Sequence, residues 1–429
     1  MILSLVGLSL LFLICFLGVP LGYGMLIIGT LGFAYIRGSG PAMEMAGQQI
    51  IDLSMNYNFS TLPLFVLMGA FVHRAKLSDD LYEAANAWLS HWRGGLAMTT
   101  IAACAGFSAV SGSSLATAAT MSKVAMPPMR KYRYSNALAT GSIAAGGTLG
   151  IMIPPSVPMV IYGILTDTDI GKLFVAGIVP GLLLVVLFIL SISVLTFFWP
   201  EIGPSGPRSS WSTRWKSLLN VWGILALFLL VLGGIYLGIF TPTEAAGIGA
   251  IGAMFFAWIR GRLSQKVLVS ALVECGVTTA MIFVVAFGAM AFSNFVAMAG
   301  LTGSIVSMIT AMELSPLGVV LAMCLIYLIM GSVFDSLSMM LLTIPVFSAI
   351  LNSIGVDLIW FGIVAIIVIE LGLITPPIGM NVFVVKSVVK DVELWTIFSG
   401  VWPFVIAGLV ALGLVLAFPG LALWLPSKM

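Results

Sequence analysis

Two neighbouring stretches, GFSAVSGSSLATAATM (106–121) and GSIAAGGTLGIMIPPSVPMVIYG (141–163), decide how this chain is read. They return in weaker form as GSVFDSLSMMLLTIPVF (331–347) and IELGLITPPIGMNVFVV (369–385). Each copy pairs a small, hydroxyl-rich segment with an apolar helix interrupted at Gly-x-x-x-Pro-Pro: Gly150 precedes Pro154-Pro155, and Gly372 precedes Pro376-Pro377. Ser111 stands 43 positions before Pro154, and Asp335 stands 41 before Pro376. The copies run on past the breaks, FVAGIVP (174–180) against FSGVWP (398–403). A duplicated broken helix in a hydrophobic chain is the sequence pointer to the binding site of a secondary transporter.

Composition agrees with that setting. The 429 residues are 60% hydrophobic and 8% charged, against about 25% charged in a soluble domain. At roughly 20 apolar residues per span the chain has room for about a dozen membrane segments. The apolar runs are continuous, as in an all-α polytopic membrane protein, and lack the short alternation of a β-barrel. A net charge of +2 gives no reason to expect a nucleic-acid partner. Cys15, Cys104, Cys275 and Cys324 lie in apolar stretches without a Cys-x-x-Cys pair and read as small buried hydrophobes. Met1 to Leu17 lacks a basic leader and a small-residue cleavage site, so it reads as a first span.

Taken in order, spans at 1–17 and 21–36 are followed by a less apolar helix at 41–58 and an apolar run that ends in His73-Arg74-Ala75-Lys76. Segment 79–92 is amphipathic, with Leu81, Ala84, Ala85 and Leu89 on one face, and carries too much charge to span. Segment 96–126 reads as a re-entrant hairpin with its polar tip at Ser108 to Ser114. Irregular backbone at that depth must be buried in protein or line a cavity. Segment 136–165 is the first broken helix. The second half offers a hairpin up to Ile350, a broken helix at 359–385 and a final span at 394–423. The basic loops at 130–133, 208–216 and 260–266 are separated by pairs of spans and fall on one side, the cytoplasm. With Lys386 and Lys390 also placed there, the two broken helices run in opposite directions, giving an inverted repeat.

A helix broken in mid-membrane frees carbonyls that carry partial negative charge, and hydroxyls at a hairpin tip can complete an oxygen shell for a small cation such as Na⁺. Ser108 and Ser111 in the first tip match Ser332 and Asp335 in the second, and Gly150, Ile153 and Pro155 match Gly372, Thr375 and Pro377. One cation site per half is expected from these ten residues. Close helix packing is the alternative use of such small residues. Ser114, Thr117 and Asn381 are candidates to face a substrate. Asp335 is the acid best placed to ligate a cation or relay a proton, Glu370 reads as a supporting or packing residue, and Glu244 as a helix-start carboxylate. A membrane serine hydrolase would need a general base, and the two histidines, His73 and His91, sit beside charged or interfacial residues.

These residues also carry a family resemblance. FSAVSGSSLATAATM, GGTLGIMIPPSVPMVIYG, FTPTEAAGIGA and ELGLITPPIGMNVFVV resemble the large membrane subunit of tripartite ATP-independent periplasmic (TRAP) transporters, the DctM type, over nearly the whole chain. The resemblance implies the elevator-type fold of the ion-transporter superfamily, with two hairpins and two broken helices moving against a scaffold. It implies Na⁺-coupled uptake of a small organic acid into a bacterium across the inner membrane, with two or more Na⁺ sites of the kind proposed above. The partners it implies are a soluble periplasmic substrate-binding protein and a small four-helix membrane subunit, expected here as a separate chain. The expected organisation is 1–93, scaffold helices and an interfacial arm; 94–200, first transport repeat and its following helix; 201–217, cytoplasmic linker; 218–313, second scaffold part; and 314–429, second repeat and last helix. A stand-alone Na⁺- or H⁺-coupled carboxylate transporter is the alternative reading.

Overall fold

The computed structural model describes residues 2–75 and 77–429. Met1, at the start of the expected first span, and Lys76, at the end of the run after 62, lie outside the described residues. Among the described residues the chain is helical without strands. The first half comprises α1 (Ile2–Phe16), α2 (Leu21–Arg37), α3 (Ser39–Met55), α4 (Thr61–Arg74), α5 (Leu77–Leu89), α6 (Gly95–Ser111), α7 (Ser114–Lys131), α8 (Asn136–Met152), α9 (Val157–Thr166) and α10 (Ile170–Phe198). The second comprises α11 (Trp211–Tyr236), α12 (Pro242–Ile259), α13 (Gln265–Met298), α14 (Leu301–Ala311), α15 (Pro316–Gly331), α16 (Ser336–Ser353), α17 (Leu358–Gly372), α18 (Met380–Val388), α19 (Leu394–Ala417) and the short α20 (Gly420–Leu423).

Six of these helices are long and apolar enough to cross a membrane, or up to eight if each bent pair counts as one span. Five shorter apolar helices stand beside them: α1, α2, α6, α15 and α17. Helices such as α6, α15 and α17 are apolar but have 15 to 17 residues, about 25 Å at 1.5 Å per residue, short of the roughly 30 Å hydrocarbon core. They belong to hairpins and broken helices, which share the crossing between two pieces. The expected linker at 201–217 is too long, because Ser210 caps α11 and the helix starts at Trp211.

One cluster of helices is closely packed through glycine. Methyl groups on Gly22 of α2 and Gly29 would run into the α13 backbone at Val285 and Phe292. α4 packs against α12 and α13, and α11 against α12 and α5. The amphipathic α5 turns Leu81 and Ala84 inward, together with Tyr82 and Ala87, and lies mainly on α6. Its charged face joins the second half: Asp80 pairs with Arg260 and, at 3.2 Å, with Arg262.

The other cluster is built around α8 and α17. Every residue of α8 from Leu138 to Met152 is buried, and so is every residue of α17 from Trp360 to Gly372. A helix apolar all round belongs in a core. The two fill theirs differently. α8 uses Gly and Ala, so α6, α7 and α19 approach closely; α17 uses Ile, Val and Phe. At the α8–α19 crossing, Gly141 and Gly400 leave no room for a side chain.

The expected basic loops gather at one end. Gly94 N–H donates to the Gly203 carbonyl and Gly206 N–H to the Ser90 carbonyl, both at 2.7 Å, and Ser135 N–H donates to Ile202 at 3.0 Å. The guanidinium of Arg214 lies over the rings of Trp88 and Trp211, and Arg130 meets Asp391 at 2.6 Å. An excess of Arg and Lys marks this end as cytoplasmic.

Candidate transport site

The first tip is a two-residue turn. α6 runs through Ser111, Gly112 takes a left-handed conformation at φ 58°, and Ser113 starts α7 by accepting from the Ala116 N–H. Left-handed backbone favours glycine. The tip rests on the first helix break. A methyl group on Gly150 would fall 2.6 Å from the Ser113 carbonyl oxygen, and one on Gly112 would fall 3.3 Å from that of Pro155. Ser108 donates to the Cys104 carbonyl at 2.6 Å. Thr117 donates to the Ser113 carbonyl at 2.8 Å, which leaves the 2.9 Å contact between Ser111 and Thr117 to the Ser111 proton.

The second tip repeats the arrangement with different atoms. Asp335 caps α16, accepting from the Ser338 N–H at 3.1 Å. Ser332 donates its hydroxyl to Ile329 at 2.7 Å, and its carbonyl accepts from the Gly379 N–H at 3.0 Å. Gly331 and Gly372 touch backbone to backbone, so a methyl on Gly372 would sit 2.6 Å from the Gly331 Cα. Thr375 donates to the Gly372 carbonyl at 3.1 Å. Both Pro-Pro bonds are cis. The breaks differ in surroundings: Pro154 and Pro155 are buried, whereas Pro376 and Pro377 are exposed.

Side chains join the two copies. The Ser114 hydroxyl lies 2.7 Å from each carboxylate oxygen of Glu370, which is 2% exposed. Asn381, fully buried, donates to the Ala144 carbonyl at 3.3 Å. Its amide nitrogen also lies 3.2 Å from where a methyl on Gly147 would sit, so Gly147 is the opening through which α18 reaches α8.

A cavity of about 300 Å³ lies between the tips and the first helix cluster. Ser111, Ser113 and Ser114 line it from the first hairpin, Asp335 and Ser336 from the second, and His73 and Glu274 from α4 and α13. It shares His73, Thr120, Lys123 and Glu274 with a second cavity of about 970 Å³, which is bounded by Asp79, Pro128 and Val267 near the basic end. Thr120 and His73 span the seam at 3.1 Å. Glu274 is held by Arg74 at 2.6 Å. Among the described residues no three His, Cys, Asp or Glu side chains converge, and the oxygens at each break are mainly hydroxyls and carbonyls.

Residues 8–421 match the profile of the family described as the tripartite ATP-independent periplasmic transporter, DctM component. The chain belongs to this family. It is 37% identical to the C4-dicarboxylate TRAP transporter large permease of Pseudomonas aeruginosa over 88% of both chains. It is 32% identical to the sialic acid large permease of Vibrio cholerae over 96% of both, and 30% identical to the ectoine large permease of Halomonas elongata over 95% of both. The solved YdaH transporter of Alcanivorax borkumensis shares the fold, with a TM-score of 0.62, 15% identity and 89% of each chain covered. As a DctM component the chain is a large permease subunit of a transporter, not an enzyme, and a multi-pass protein of the bacterial inner membrane.

In this DctM component Gly150 and Pro155 meet the first tip at Ser113 and Gly112, with Ser111 one residue earlier and bonded to Thr117, and Ser332, Gly372 and Thr375 come together at the second. Ser108 sits a turn back with its hydroxyl turned to its own helix, and Ile153 caps α8 with its side chain against Gly181. Pro377 is exposed at the second break. Of the three residues expected to face substrate, Ser114 lines the cavity, whereas Thr117 and Asn381 are fully buried away from its lining. Glu244 forms a capping box with Thr241, as a helix-start carboxylate should. The sequence reading missed Lys123, Thr120 and the Ser114–Glu370 pair. The signal for Lys123 was a lysine on the hydroxyl-bearing face of a membrane hairpin.

Proposed function

We propose that this chain forms the Na⁺-coupled, elevator-type pathway of a tripartite uptake system for a small organic acid. The observation that supports it is the doubled tip-on-break contact beside a single cavity. In this reading Na⁺ binds at two sites. The first uses Ser108, Ser111, Gly150, Ile153 and Pro155; the second uses Ser332, Asp335, Gly372, Thr375 and Pro377. Neutral oxygens suit a monovalent ion, whose small charge does not repay burial of several carboxylates. A bound ion draws each tip onto its break and completes the wall against which substrate rests, so empty sites leave that wall unformed. The helices around α8 and α17 then slide against those around α4 and α13. The present cavity, continuous with the basic end, corresponds to the inward-open position.

The solutes named for the relatives, C4-dicarboxylates, sialic acid and ectoine, share a carboxylate, and that group defines the substrate class proposed here. A periplasmic binding protein delivers it, and a small four-helix subunit steadies the scaffold. The test is uptake by proteoliposomes holding this chain and the small subunit, with an inward Na⁺ gradient and the cognate binding protein loaded with radiolabelled acid. Uptake should require all three components. Uptake that persists without the binding protein, or without Na⁺, removes the tripartite or the Na⁺-coupled part respectively.

A further inference from the structure

We infer that Lys123 is an anion-binding residue of the cytoplasmic exit path, holding the carboxylate or sulfonate of a departing solute at the junction of the two cavities. The inference rests on the inward-open reading of those cavities. Among the described residues Lys123 is the one lysine or arginine that lines the deeper cavity, and it also lines the wider one. It lies on α7 at helical spacing from Ser113, Ala116 and Thr120, so these four share one face. All four line the deeper cavity. The face begins with hydroxyls and exposed backbone at the tip and ends, at the wide mouth, with an ammonium.

Of the acids that line the deeper cavity, both are engaged, while Asp79 and Glu83 line only the wider one, toward its mouth. Glu274 is paired with Arg74 at 2.6 Å, and Asp335 accepts from the Ser338 N–H at 3.1 Å. Among the described residues Lys123 makes no ion pair with a carboxylate, and its residue is exposed to the cavity space. An exposed ammonium in a concave, partly apolar channel focuses its field along the channel. It raises the local concentration of anions there and offers three donors to a carboxylate. α7 belongs to the moving hairpin, whereas His73 and Glu274 belong to the opposite wall, so the subsite travels with the substrate.

The test places a reporter thiol deeper than Lys123. Ala116→Cys is introduced in the assembled complex, with the four native cysteines replaced, and labelled from the cytoplasmic side with an anionic and a cationic methanethiosulfonate of similar size. With Lys123 present the anionic reagent is favoured. Lys123→Gln should lower the anionic-to-cationic rate ratio by about five-fold, and Lys123→Arg should restore it. An unchanged ratio in Lys123→Gln overturns the proposal, as does a reporter thiol that neither reagent reaches. This readout needs neither Na⁺ nor substrate, so it stands apart from any failure of the Na⁺-coupled uptake assay.

Discussion

The hydroxyl of Ser114 lies within 2.7 Å of both carboxylate oxygens of Glu370, across 256 positions of sequence and between the two repeats. Ser114 opens α7 against the Gly150 break, and Glu370 lies two residues before Gly372. The contact thus links the two tip-on-break assemblies directly. Ser114→Ala would leave a buried carboxyl without this partner, a loss of about 1–3 kcal/mol. The expected result is a lower unfolding temperature in detergent, with Glu370→Gln, which keeps shape and hydrogen bonding, affected less. Equal stability of Ser114→Ala and the parent would show that the pair contributes nothing.

Steric fit at the breaks predicts a second result. Gly150→Ala and Gly372→Ala each push a methyl against backbone at 2.6 Å, and backbone cannot rotate away as a side chain can. Overpacking of this kind costs about 1–3 kcal/mol. It should also lift each tip from its break, so Na⁺-driven uptake should fall at least several-fold. Gly413→Ala in α19, where nothing lies within 4 Å, is the control and should match the parent. Uptake at parental rates in both break variants would separate tip seating from transport.

Asp335 serves as a helix cap and is proposed as a cation ligand, and two substitutions separate the roles. Asn caps a helix about as well as Asp, whereas Ala costs about 1 kcal/mol. Asp335→Asn should therefore keep the unfolding temperature but raise the Na⁺ concentration for half-maximal uptake. Asp335→Ala should lose both. A normal Na⁺ requirement in the Asn variant would confine Asp335 to capping.

The Arg130–Asp391 pair ties the end of the first hairpin to the loop after α18. Its hydrogen bond from Arg130 holds the Asp391 carboxyl below its ordinary value of 3.8. A carboxyl depressed in the folded state adds stability above pH 3.8, and that contribution disappears as pH falls through the lower folded value. Asp391→Asn should thus be less stable than the parent near neutral pH and converge with it below pH 3.8. The pair is solvent-exposed, so the difference should be small and should shrink at about 1 M salt, where the screening length is about 3 Å. A difference that persists in strong acid would assign it to something other than this ion pair.

Much of the architecture was legible because its signals are local. At both Gly-x-x-x-Pro-Pro sites the helix ends before the prolines, since proline removes a donor and clashes with the preceding turn. Gly112 permits the left-handed turn of the first tip in its own three-residue neighbourhood. The boundaries that shifted were those without such punctuation. Trp211 to Lys216 is too polar and basic to read as membrane helix, yet it continues α11 because Ser210 caps it and Trp88 and His91 receive Arg214.

The sequence by itself determined the membrane setting, the two helix breaks and the family. Composition, periodicity and proline geometry act over a few neighbouring residues and leave their mark in the order of letters. Only the tertiary structure decided that Ser114 meets Glu370, that Thr117 and Asn381 turn inward while Lys123 faces the channel, and that one break is buried and the other exposed. Those outcomes depend on the rotation and depth of whole helices packed against partners far away in the chain. A helix with small residues on every face, such as α8, carries no amphipathic stripe to declare in advance which side will meet which partner.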